Sequence, residues 1–113
     1  MLSPAPKLLI AWTTVAQRHD AERLASAVVA QGLSACVQID GPVISHYRWQ
    51  GKVERAEEFR LTFKFLPDQL VALERHVRDQ HPYETPEWIV LHADAVAEKY
   101  LSWASTNPST PPL

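Results

Sequence analysis

The sequence predicts an α+β sandwich of the split-βαβ type. It consists of one antiparallel sheet with helices on one face, an extended hairpin between the second and third strands, and an extra C-terminal helix. Three observations predict it. Apolar residues recur with helical spacing at 21–29 and again at 70–77, and with a period of two in the segment between. The resulting order is strand, helix, strand, strand, helix, strand and a last helix, and right-handed crossovers restrict how two such halves join. Finally, Gln50-Gly51 separates two extended runs of unusual length.

Taken in order, residues 1–6 carry two prolines and form a lead-in. Residues 7–14 (Lys-Leu-Leu-Ile-Ala-Trp-Thr-Thr) are a short apolar run suited to a central strand buried on both faces. A helix over 17–31 follows, its stripe made by Ala21, Leu24, Ala25, Val28 and Val29. Asp20 and Glu22 sit near its positive end, and Gly32 supplies the left-handed stop. The second strand, 33–40, turns Ala35, Val37 and Ile39 to one side and Cys36 and Gln38 to the other. Gly41-Pro42 interrupts the ladder, and the strand resumes through Val43, Ser45, Tyr47 and Trp49.

In the returning strand, Phe59, Leu61, Phe63 and Phe65 alternate with Glu58, Arg60, Thr62 and Lys64, giving one buried face. Unbroken over 52–66 it reaches roughly 50 Å at about 3.3 Å per residue, against roughly 20 Å for an ordinary strand. Such an overhang predicts self-association, because monomers avoid open strand edges. Pro67 and Asp68 open the second helix, with Leu70, Leu73 and Val77 on its inner edge and Glu74 discordant. It ends near His81, since Pro82 disfavours helical geometry in the residue before it. Residues 82–87 form a stiff loop with two prolines, and 88–93 a fourth strand apolar enough to be interior. Asp94 is expected to cap a last helix whose stripe is Ala97, Tyr100, Leu101 and Ala104, with Trp103 on its flank. Residues 1–106 thus read as one domain with a ferredoxin-like fold, and 107–113 as a flexible tail rich in proline, serine and threonine.

At 113 residues, 46% of them hydrophobic and 21% charged, the chain has the composition of an ordinary globular domain. A net charge of −2 gives no electrostatic footprint for nucleic acid or anionic lipid. No apolar run is long enough for a signal or membrane helix. The single cysteine, Cys36, excludes an internal disulfide framework and suits a reducing compartment, so the expected location is the cytoplasm.

Chemistry-bearing residues crowd the loop at 81–87: His81, Tyr83, Glu84, Thr85 and Glu87. This is either a stiff display for a metal or small polar molecule, or a turn whose polar groups cap backbone ends. Cys36 reads as a small buried hydrophobe or as a thiol ligand completed by histidines or another subunit. His46 and His92 are isolated, and His19 and His76 are expected to be solvated on helices. No His-x-x-x-His or Cys-x-x-Cys spacing occurs. Trp49 and Tyr47 suit either a subunit contact or a cross-strand pair. No nucleophile elbow, phosphate loop or acid–base pair is visible, so no catalytic residue is assigned and no enzyme is expected.

Thr13-Thr14, Gly32-Leu33-Ser34-Ala35-Cys36-Val37, Tyr47-Arg48-Trp49-Gln50-Gly51-Lys52, His81-Pro82-Tyr83-Glu84-Thr85-Pro86-Glu87 and Tyr100-Leu101-Ser102-Trp103 occur in one order. Together these blocks resemble the CutA family of divalent-cation tolerance proteins, over residues 7–106. The resemblance implies a homotrimer with hairpins pairing between subunits, a role in tolerance to divalent metals, and Cu(II) or another divalent metal as the ligand. Of the ligands that copper-linked members offer, only His81 matches; Thr13 and Gln80 stand where the others would be. The resemblance also implies an inter-subunit cleft walled by Trp49, Lys64, Tyr83, Glu84 and Trp103. The alternative is a signalling trimer similar to the PII-like proteins, holding an anion or nucleotide between subunits with Lys64 and Arg60 as charge partners.

Overall fold

β1 (Leu9–Val15) runs inside a four-stranded antiparallel sheet of order β2-β3-β1-β4, in a computed structural model that describes residues 5–106. The remaining elements are α1 (Arg18–Ala30), β2 (Cys36–Trp49), β3 (Lys52–Phe65), a 3₁₀ turn (Pro67–Gln69), α2 (Leu70–Gln80), β4 (Ile89–His92) and α3 (Glu98–Ser105). The expected tail at 107–113 and the start of the lead-in lie outside the described residues.

The core forms where both crossover helices meet one face of the sheet. Leu24 and Val28 of α1 and Leu73 and Val77 of α2 close over Leu61, Phe63 and Phe65 of β3. Burial alternates along β1: Leu9, Ala11, Thr13 and Val15 are buried, while Ile10, Trp12 and Thr14 are half-buried. The strand is therefore covered fully on one face, not on both, because α1 and α2 occupy the same side. On the other side Trp12 donates its indole N–H to Thr62 Oγ1 at 3.1 Å. α3 also reaches that side. Its Tyr100 ring lies 5.9 Å from Lys64 Nζ, and Lys64 pairs across the sheet with Cys36, both alternating away from Phe63.

Two further expectations change. β4 is an edge strand, with Ile89 44% and Leu91 41% exposed; an apolar run reports what can be covered, not what this chain covers. The residue before α3 is Ala97, which has no side-chain cap, and Asp94 lies in the loop ahead of it.

The helix ends are built as their residues dictate. Gly32, at φ +70, lets Leu33 N–H reach the Val28 carbonyl at 2.8 Å and its own N–H reach Val29 at 3.1 Å. This is the paired closure that a left-handed residue permits. Gln69 then joins the two halves of the chain. Its Oε1 accepts the Leu66 N–H at 2.7 Å while its Nε2 donates to the Gly32 carbonyl at 2.8 Å.

The β2–β3 ladder is in register from Cys36/Lys64 to Asp40/Arg60, then shifts so that Val43 faces Glu58. Gly41 and Pro42 together oppose Phe59 alone, forming a bulge. Gly41 is required there: its φ is +143, and a Cβ would stand 2.9 Å from the Glu58 carbonyl oxygen. β1 pairs with β3 only as far as Val15/Phe59. Beyond that point β2 and β3 continue as a two-stranded arm to Trp49/Lys52, closed by Gln50 and Gly51 at φ 49 and 77. Positive φ at both positions is the tight turn matched to strand twist. Among the described residues, no helix is long and apolar enough to cross a membrane.

Candidate functional site

Polar side chains converge where α2 gives way to the 81–87 loop, against the end of β1 and the base of the arm. Pro82 takes His81 out of helical geometry, to φ −72 and ψ 135, and the imidazole turns back onto β1. Its Nδ1 accepts the Tyr83 N–H at 3.0 Å, which leaves the proton on Nε2. That N–H faces the Thr14 carbonyl at 3.0 Å and the Thr13 hydroxyl at 3.1 Å. Thr13 Oγ1 donates its own proton to the Glu87 carbonyl at 2.6 Å. Both ring nitrogens are thereby used in fastening the loop to β1. Burial holds the imidazole below its ordinary pKa of 6.5, outweighing the Thr14 carbonyl, Glu58 and Asp20, which pull it upward.

Tyr83 crosses to the arm. Its hydroxyl donates to Glu58 Oε2 at 2.8 Å, and its ring tilts against His81 with centroids 4.8 Å apart. Burial, and then the Glu58 carboxylate, push the Tyr83 phenol well above its ordinary value of 10.0. Glu58 itself is only 9% exposed. An open groove of about 1000 Å³ runs between the arm and the loop, walled by Tyr47, Trp49, Glu58, Tyr83, Glu84 and Glu87.

Of the five residues expected in one cleft, Trp49, Tyr83 and Glu84 line this groove. Lys64 and Trp103 do not. They belong to a second cluster around Tyr100, whose ring lies 5.7 Å from Trp103 and which sits beside Cys36. Arg60 is engaged by Asp40 through two bonds of 2.9 and 3.3 Å. His76, expected to be solvated, is half-buried with an Nε2 that has no partner among the described residues. Gln80 is exposed at the end of α2. Sequence reasoning missed Glu58, because period-two alternation puts it on the uncovered side; the only hint is its place beside the bulge.

The described residues do not make a copper site within one chain. His81 offers no free nitrogen, and among the described residues no three His, Cys, Asp or Glu side chains stand close enough to hold a metal ion. Cys36 pairs with Lys64 across the ladder and sits beside Tyr100, and among the described residues it belongs to no group of three metal-ligating side chains.

Comparison with known proteins resolves the lineage. Residues 9–107 match the profile of a family described as CutA1 divalent ion tolerance protein. The chain belongs to the CutA family. The divalent-cation tolerance protein CutA of Yersinia pestis (strain Pestoides F) is 34% identical over 99 residues, which span 88% of this chain and 83% of that one. CutA from Synechococcus elongatus PCC7942 superposes with a TM-score of 0.86 at 40% identity, covering 89% of each chain. These likenesses do not favour the PII-like alternative. One relative corrects the expected cytoplasmic location. The CutA of Archaeoglobus fulgidus, 28% identical with a TM-score of 0.83 over 87% of this chain and 95% of its own, is described as a periplasmic divalent cation tolerance protein. A lone cysteine makes no internal disulfide in either compartment, so Cys36 carried no information on location.

Proposed function

We propose that this chain serves tolerance to divalent cations as a homotrimer, acting by assembly and binding and not by catalysis. The arm carries this reading. From Val43/Glu58 to Trp49/Lys52 it has no third strand among the described residues, yet it bears Ile44, Tyr47, Trp49 and Val53, 45%, 47%, 58% and 74% exposed. A two-stranded ribbon is marginal in water on its own, and a large apolar surface on it is what a second copy covers. The edge strand β4, with Ile89 and Leu91 open, supports the same reading. In this reading Trp49, Tyr83 and Glu84 face the contact between copies. A response to Cu(II) or another divalent ion then depends on the assembly, since among the described residues of one chain no three ligating side chains gather.

Light scattering at micromolar concentration tests the assembly, with the mass of three chains expected and a single-chain mass overturning it. Val53→Asp, at an exposed position that no fold contact needs, is expected to lower the associated fraction. Deleting the gene and measuring growth in copper and zinc salts tests the role; unchanged tolerance counts against it.

A further inference from the structure

We propose that the hydrogen bond from Tyr83 to Glu58 sets the direction of the β2–β3 arm, and that both residues thereby act as positioning residues for the joining of copies. This role rests on the homotrimer reading and adds to it what prepares each chain for the contact.

The arm starts from a pivot. Phe59 is the last residue of β3 paired to β1; it packs on the core, with the Arg18 guanidinium 5.2 Å from its ring centroid. Glu58, one residue further out, opens a ladder of two strands that runs to Trp49/Lys52. At the same level Gly41 and Pro42 bulge from β2, and a bulge bends its strand and interrupts the ladder. A two-stranded ribbon leaving such a base has little to fix its direction.

One bond does so here. Among the described residues, Tyr83 to Glu58 at 2.8 Å is the only side-chain hydrogen bond that joins the arm to the rest of the fold, and no ion pair does. The donor end is stiff. Tyr83 N–H bonds His81 Nδ1 at 3.0 Å, its ring tilts against the imidazole, and the imidazole is fastened to Thr14 of β1. The arm is thereby referred to an inner strand of the sheet. Glu58 suits this task better than it suits packing. A carboxylate kept nine-tenths buried is costly, and an apolar side chain would fill the position at less cost. What the carboxylate offers is a short, directional, charge-assisted bond, which fixes an angle where apolar contact would not.

Direction matters because the arm is a lever. Its seven residue pairs span roughly 23 Å at about 3.3 Å per residue, so a swing of about 10° at Glu58 moves the tip by roughly 4 Å. That is the whole reach of an apolar contact, so Trp49 and Val53 at the tip would miss their counterparts. An arm already held in its assembled direction also spares the entropy of ordering it on association.

Direction and association are tested separately. Spin labels at Lys52→Cys and Glu22→Cys, in a Cys36→Ser, Val53→Asp chain diluted with unlabelled chain, read the distance from the arm's tip to α1 within one copy. Tyr83→Phe is expected to broaden that distribution by several Å, whereas Glu58→Gln, which keeps an acceptor for the phenol, leaves it narrow. Light scattering over a dilution series, with and without Val53→Asp so that the half-point falls in range, gives the concentration at half association. Tyr83→Phe is expected to raise it about tenfold or more and Glu58→Gln by less than about threefold, with circular dichroism unchanged. A distribution as narrow in Tyr83→Phe as in its parent overturns the proposal. So does a broadened arm with unchanged association, or Glu58→Gln as disruptive as Tyr83→Phe. A single-chain mass for the unsubstituted protein overturns the homotrimer reading and the positioning role with it, while the label distances still show whether the bond directs the arm.

Discussion

The Tyr83 hydroxyl donates to Glu58 Oε2 at 2.8 Å, tying the loop that leaves α2 to the base of the β2–β3 arm. Glu58 is the residue at which β3 loses its second neighbour strand, so the contact replaces a missing ladder with one side-chain bond.

Tyr83→Phe removes that bond and leaves a nine-tenths buried carboxylate without its donor. The expected loss is about 1–3 kcal/mol of stability, read from urea denaturation. Spectrophotometric titration gives a second check: Tyr83 ionises well above the ordinary tyrosine range, and the late step disappears in the variant.

Stability also depends on His81. Burial depresses its folded pKa below 6.5, so the unfolded chain takes up the proton first as the solution is acidified. Protons bound preferentially by the unfolded state favour unfolding, and protonation removes the Nδ1 acceptor that Tyr83 N–H needs. Stability is therefore full above pH 6.5 and falls as the pH drops below it, until the folded imidazole is also protonated. Denaturation midpoints between pH 7.5 and 5 are expected to show this slope, and His81→Gln to flatten it.

Two glycines with positive φ separate strain from crowding. A Cβ at Gly51 meets nothing within 4 Å, whereas one at Gly41 meets the Glu58 carbonyl oxygen at 2.9 Å and Phe59 Cα at 3.2 Å. Gly51→Ala is expected to cost about 1 kcal/mol. Gly41→Ala is expected to cost about 3 kcal/mol, since the bulge itself must open. Equal losses would show that the bulge yields freely.

Local signals were legible in the sequence wherever one residue decides the outcome. Gly32 ends α1, Gln50-Gly51 turns the hairpin, Gly41-Pro42 marks the bulge, and Pro82 stops α2, each by a backbone constraint that neighbours cannot alter. Questions of what covers what were less legible. The apolar run of β4 reads as interior but lies at an edge, and β1 is covered on one face where two were expected. Within the site, the 81–87 loop stood out as polar, but His81 as a fastener and Glu58 as its partner across the groove depend on contacts between residues far apart in sequence. Within one chain Lys64 and Trp103 gather around Tyr100, on the face that α3 reaches, while Trp49, Tyr83 and Glu84 line the groove at the arm.

The amide of Gln69 has a consequence for where this chain tolerates cutting. One side chain holds both the end of α1, through Gly32, and the start of the 3₁₀ turn, through Leu66. New termini or an inserted peptide near Gly32 would release both halves of the fold together, so their losses would not be separable. At Gln50-Gly51 the backbone is exposed and nothing crowds it. A linker or label placed there leaves the fold of one chain intact and acts on the arm alone, which makes the tip the point at which assembly is perturbed separately from folding.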